Sequence, residues 1–150
     1  MTIDLAKKEL RAWLRLGKVH ARLTAAIDLR FKSEGQPPAA WFPILSELAR
    51  CGPEGLRPFE LEQATGEAQY NISRLLDRMT KAGLVARQAC EDDRRGWRVA
   101  LTESGGAAAA RMRTIHDVAL AEDFIAPLTG KQVKSLDSIL GDLLRKERRK

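Results

Sequence analysis

Residues 61–101 read LEQATGEAQYNISRLLDRMTKAGLVARQACEDDRRGWRVAL. Leu61 and Ala64 suit the buried side of a short helix that Pro58 opens, because a proline's missing donor is harmless in a first turn. Gly66 marks a turn. Ile72, Leu75, Leu76 and Met79 then recur at helical spacing, which predicts a second helix over 69–82. Gly83 suits the left-handed position that ends it. Leu84 to Ala89 and Trp97 to Leu101 read as two strands joined by the charged turn Glu91–Gly96. Helix, turn, helix and hairpin in this order present one helix to a DNA major groove, with the hairpin reaching the adjacent backbone or minor groove.

The rest of the chain reads as helical framework. Leu10, Trp13, Leu14, Gly17, Ala21, Thr24 and Ala25 give residues 4–32 an apolar helical period. Pro37 and Pro38 interrupt the connector 33–40, and a further helix follows over 41–51. Thr102 suits a helix cap, Gly105 and Gly106 weaken the turn after it, and Ala107–Ala110 favour continuation to about Phe124. Thr129 caps a last helix, to about Lys146, whose stripe is Val133, Leu136, Ile139, Leu140, Leu143 and Leu144. The expected fold is mainly α with a small β hairpin, in a single domain. A winged helix-turn-helix over 57–101 is flanked by dimerisation helices over 4–32 and 107–146. One winged domain has little core left to cover the last stripe, so a second copy is expected to bury it.

At 150 residues and 44% hydrophobic, the chain can bury a modest core and is not a disordered tail. It has no apolar run of membrane-spanning length and no signal-peptide pattern, and Cys51 and Cys90 are too few for a disulfide framework. A cytoplasmic location is expected. The net charge of +6 fits a polyanionic partner, but the excess lies in the flanks. Residues 1–32 hold eight Lys/Arg against Asp4, Glu9 and Asp28, whereas 57–98 are nearly balanced. The case for the middle therefore rests on arrangement.

The outer face of the 69–82 helix offers Gln69, Tyr70, Asn71, Ser73, Arg74, Asp77 and Arg78. Asn and Gln can pair bidentately with adenine, Arg can do so with guanine or clamp phosphate, and Tyr and Ser suit phosphate or a thymine methyl. The hairpin that follows favours this over an ordinary solvated face. In the turn, Arg94 or Arg95 can enter a narrow A·T-rich minor groove, with Asp93 pairing across the turn to Arg95. Trp97 reads as packing rather than a stacking platform.

Residues 61–106 resemble the winged helix-turn-helix core of the MarR family of bacterial transcriptional regulators. The resemblance rests on SRLLDRMTKAGLVARQACEDDRRGWRVALTESG, Ser73 to Gly105, with its GLV, its D-x-R at Asp93 and Arg95, and its closing LTESG. The helical flanks also agree in order and length. The resemblance implies a homodimer on a pseudo-palindromic double-stranded operator, often a repressor released by a small aromatic or phenolic effector. It carries base and phosphate contacts to Gln69, Tyr70, Asn71, Ser73 and Arg74, and the wing-tip role to Arg95. The segment RPFELEQATGEA (57–68) departs from the family's usual ELA, which suggests weaker phosphate contacts from that helix.

For an effector, Trp13, His20, Trp41 and Phe42 are candidate lining residues, with Arg15 or Arg22 to meet a carboxylate. For each, aromatic core or solvated surface is the competing role. Cys51 lies at a helix C-terminus and Cys90 beside Glu91, Asp92 and Asp93, both poor surroundings for a reactive thiolate. His20 and His116 lack the company of a metal set, and there is no Gly-rich phosphate loop or nucleophile elbow. No cofactor, metal or enzyme activity is expected. The alternatives are an effector-independent structural winged-helix DNA-binding protein and a protein-interaction adaptor.

Overall fold

The computed structural model describes residues 5–90 and 96–147, with side chains through Arg145. The order is α1 (Lys7–Ser33), a 3-10 turn (Ala39–Trp41), α2 (Phe42–Cys51), α3 (Pro58–Thr65), α4 (Gln69–Lys81), β1 (Val85–Ala89) and β2 (Trp97–Leu101). Then come α5 (Glu103–Leu120), a π-helical turn (Ala121–Ile125) and α6 (Gly130–Glu147). β1 and β2 form one antiparallel hairpin, in register from Val85 opposite Leu101 to Ala89 opposite Trp97. The chain divides into two compact units. One takes the residues up to Ala26 and from His116 onward, and the other spans Ile27–Ile115.

The Ile27–Ile115 unit holds the winged helix-turn-helix. Its core joins Phe31 of α1, Ile44 and Leu45 of α2, Leu61 of α3, Ile72, Leu76 and Met79 of α4, Val99 of β2 and Met112 of α5, all fully buried. The three α4 residues are four and three positions apart, so they share one face. Burying that face fixes which side chains of α4 look outward. Ala64 does not join Leu61 as expected and is exposed. Thr65, one full turn on, lies over Leu61 instead, and its Oγ1 donates to the Leu61 carbonyl at 2.7 Å.

Local chemistry sets the boundaries. Glu60 accepts from the Arg57 backbone N–H at 2.7 Å, satisfying a donor at the start of α3. The departure from the family pattern in this segment thus acts as a helix cap. α4 ends in a Schellman arrangement: Leu84 N–H donates to Met79 O and Gly83 N–H to Thr80 O, with Gly83 at φ 76°. Thr102 locks the far end of the hairpin. Its Oγ1 accepts from Gly105 N–H at 3.0 Å and donates to Gly83 O at 2.6 Å, while its own N–H donates to Leu84 O.

Two glycines permit close approaches. Leu56 exchanges both backbone hydrogen bonds with Val99, adding a short third rung to the sheet, and Gly55 before it has φ 71°. A Cβ on Gly55 would overlap the Val99 carbonyl, and one on Gly105 would overlap the Leu84 carbonyl. The sequence reading takes Gly105 as a weak point of α5. Its side-chain-free backbone is what lets α5 start against the end of α4.

In the other unit, α6 opens with a reciprocal cap between Thr129 and Gln132: Thr129 N–H donates to Oε1 at 2.8 Å and Gln132 N–H to Oγ1 at 3.2 Å. Val133, Leu136 and Leu140 are half-buried. Ile139, Leu143 and Leu144 stay exposed, as do Leu10, Trp13 and Leu14 of α1. Trp13 is 71% exposed and Leu144 67%. No helix among the described residues is long and apolar enough to cross a membrane.

Candidate nucleic-acid interface

With Ile72, Leu76 and Met79 turned inward, Gln69, Tyr70, Asn71, Ser73, Arg74 and Arg78 all stand exposed on α4. Tyr70 is 70% exposed, and the Arg74 guanidinium lies over its ring at 5.4 Å from the centroid. A cation over an aromatic face is attracted by the ring quadrupole, which favours this placement of the guanidinium. The Asn71 side-chain amide donates to Glu67 Oε2 at 3.2 Å. Asn71, Arg74 and Arg78 line a recess of about 200 Å³ together with Ala40, Glu67 and Leu75. The face therefore carries two guanidinium groups, two carboxamides, a hydroxyl and a phenol, all types that meet phosphate or base edges.

Asp77, expected to share this outward face, has a different role. Its Oδ1 accepts from Arg87 of β1 at 2.7 Å. The same guanidinium lies over the Trp97 ring of β2 at 4.3 Å from its centroid. Asp77, Arg87 and Trp97 thus brace the hairpin against α4. Trp97 is half-buried, packs on the core and has one face covered by Arg87, consistent with packing rather than base stacking. Sequence reasoning missed Arg87 and Glu67. Arg87 falls on a strand position where alternation says only that it faces solvent, and Glu67 lies in a turn outside any periodic pattern.

Asp93, Arg94 and Arg95 lie outside the described residues, as does most of the turn between the strands. The described ends of that turn are tied, since Cys90 N–H donates to Gly96 O at 3.3 Å.

The proposed effector residues fall in both units. Trp13, Arg15 and His20 are exposed on α1. Trp41 is half-buried against the core of the other unit, and Phe42 is buried there with its ring 5.7 Å from that of Phe31. Phe42 is therefore a core side chain. A separate cavity of about 530 Å³ lies within the terminal unit, walled by Val19, Leu23, Phe124, Leu128 and Leu136 with Arg22 and Asp123 at its edge. Of the six effector candidates, only Arg22 lines it. Burial pushes the Cys51 thiol above its ordinary pKa, only partly offset by hydrogen bonding and by Arg50. Among the described residues no three His, Cys, Asp or Glu side chains are grouped to hold a metal.

The buried face of α4, its outward polar face and the braced hairpin define a winged helix-turn-helix protein. Comparison with known proteins makes this specific. A sequence profile of the MarR family matches residues 36–96. AbsC, a MarR family transcriptional regulator from Streptomyces coelicolor, is 28% identical with a TM-score of 0.88, over 99% of this chain and 100% of that one. Sco3205, a MarR family transcriptional regulator from the same organism solved in complex with DNA, is 25% identical with a TM-score of 0.90, over 97% and 91%. A mutant MarR from E. coli complexed with operator DNA is 25% identical with a TM-score of 0.82, over 95% and 99%. Residues 36–96 thus match the MarR family profile, and nearly the whole chain shares the winged helix-turn-helix fold of MarR family transcriptional regulators.

Proposed function

We propose that this chain is a sequence-specific double-stranded DNA-binding transcriptional regulator that works as a homodimer on a pseudo-palindromic operator. The observation that carries the reading is the division of α4. Ile72, Leu76 and Met79 are fully buried while Gln69, Tyr70, Asn71, Ser73, Arg74 and Arg78 all stand outward on one rigid element. Two of the structural relatives were solved with DNA, which supports the same use of the fold here. In this reading Arg74 and Asn71 meet base edges, Tyr70, Ser73 and Arg78 hold phosphates, and Arg95 or Arg94 reaches the minor groove from the wing.

Dimerisation is supported by the terminal unit. Trp13, Leu14, Ile139, Leu143 and Leu144 are all more than half exposed there, an apolar surface that a second copy would remove from water. Two recognition helices on one two-fold axis then read two half-sites.

We further propose that the protein is a repressor and that a small aromatic carboxylate releases it. The cavity beside Arg22 supports this: its volume suits a small ligand, and its lining is mostly apolar, with Arg22 and Asp123 as its charged members.

Footprinting on the DNA upstream of this protein's own gene tests the function. A discrete, two-fold related footprint is the expected result. Arg74→Ala should reduce discrimination at one base pair per half-site by about 1–3 kcal/mol. Failure to bind any duplex at low salt would reject the reading in favour of a protein-interaction adaptor.

A further inference from the structure

Among the residues of the α4 face and its approach, Glu67 is the one acid that lines the recess with Asn71, Arg74 and Arg78. Net electrostatics count against a carboxylate at a DNA surface, because phosphates repel it and it lowers the field of nearby arginines. The structure gives it a specific partner: its Oε2 accepts from the Asn71 amide at 3.2 Å. One of the two Asn71 N–H groups is thereby engaged, which fixes the plane of the carboxamide. Glu67 keeps its other oxygen and further lone pairs for an incoming donor.

We infer that Glu67 is a specificity-determining residue that selects cytosine at one position of each half-site. The inference rests on the reading of α4 as the helix that enters the major groove. In that groove cytosine presents only an amino donor, whereas guanine presents two acceptors and thymine a carbonyl. A carboxylate accepts from the cytosine amine and is repelled by the other two edges. Adenine offers an amine beside an acceptor nitrogen, so it is a poorer match. Through the Asn71 hydrogen bond, Glu67 also positions the neighbouring contact. The negative charge weakens binding to every duplex through the phosphates, but weakens it least where the cytosine amine compensates. Selectivity gained by penalising wrong partners is a general route to specificity.

The test is selection from a randomised duplex library with the full-length protein, its Glu67→Gln variant and its Glu67→Ala variant, followed by competition against non-specific duplex. Glu67 is exposed, so both variants should fold, and their circular dichroism melts should match the parent's. The parent should select a site with cytosine at one position in each half. Glu67→Gln should lose that preference by about fivefold or more, since a carboxamide also donates and tolerates acceptor edges. It should bind non-specific duplex about two- to fivefold more tightly at low salt. Glu67→Ala should also broaden the position read by Asn71. If the parent selects a site and Glu67→Gln selects the same site with the same preferences, the inference is overturned while the DNA-binding reading stands. If the parent binds no duplex at all, both fall together.

Discussion

Removing Arg87 should loosen the wing from the recognition helix without disturbing the core. Its guanidinium makes two contacts, an ion pair with Asp77 at 2.7 Å and a cation–π contact with Trp97 at 4.3 Å. The Arg87 and Asp77 side chains are 50% and 58% exposed, so water screens the pair. A pair that exposed contributes roughly 0.2–1 kcal/mol. A cation over a partly exposed ring adds about 0.5–1 kcal/mol. Arg87→Ala should therefore cost about 0.7–2 kcal/mol, less than the roughly 2–5 kcal/mol expected for Leu76→Ala in the core. Urea unfolding with linear extrapolation measures the loss, and double-mutant cycles with Asp77→Ala and Trp97→Leu apportion it. Each cycle should show coupling of about 0.5 kcal/mol or more. Operator affinity should fall further than stability alone explains, because the hairpin then has to be ordered on binding. Additivity within about 0.3 kcal/mol in both cycles would show that the contacts do not brace the wing.

Four further outcomes follow from particular side chains. Gly105→Ala should destabilise by about 2 kcal/mol or more through overlap with the Leu84 carbonyl, whereas Gly106→Ala, with open space at its Cβ, should be neutral or stabilise by up to about 1 kcal/mol; thermal melts of the two variants compare them directly. The Asp28 carboxyl is held below its ordinary pKa, first by Lys32 and then by the Ala39 N–H. Its contribution to stability is thus present above the ordinary carboxylate pKa and lost as pH falls through the depressed one, and Asp28→Asn should flatten that part of the acid unfolding curve. Cys51, with its thiol pushed up by burial, should alkylate slowly at neutral pH and speed up only above the ordinary thiol range, and peroxide should leave the DNA affinity of a Cys90→Ser variant unchanged. Sedimentation equilibrium at micromolar concentration should give twice the chain mass, and replacing Ile139, Leu143 and Leu144 by Glu should give monomer.

The order of elements was legible because it is written in strong local signals. Ile72, Leu76 and Met79 recur at a helical period, Gly83 ends the helix and Thr102 starts the next, and each does so in the structure. The outward set on α4 was legible for the same reason, since knowing the buried face fixes the exposed one. Features set by long-range approach were not. Gly105 looks like a poor helix former until the Leu84 carbonyl is placed beside it, and Gly55 looks like punctuation until Leu56 pairs with Val99. Likewise Asp77 reads as one more polar residue of the face until β1 folds back and presents Arg87.

The same distinction explains how charge is arranged in this chain. Residues 57–98 carry almost no net charge, although they hold the proposed interface. The acids there do not act alike. Glu60 caps α3, Asp77 holds Arg87, and Glu67 holds Asn71. Asp77 and Glu60 use their charge on the protein itself, so they oppose DNA without reading it. Glu67 stands where its remaining acceptor capacity can face a base. A surface built only for affinity would have replaced all three with neutral or basic side chains. Retaining Glu67 and Asp77 near Arg74 and Arg78 lowers the attraction that every sequence offers equally, and leaves a larger share of the binding free energy to contacts that differ between sequences. Salt titration separates the two contributions. Glu67→Gln should steepen the salt dependence of non-specific binding, and Arg78→Ala should make it shallower by about one unit. Equal slopes for the parent and both variants would mean that neither side chain lies near the phosphates, and that α4 is not the helix in the groove.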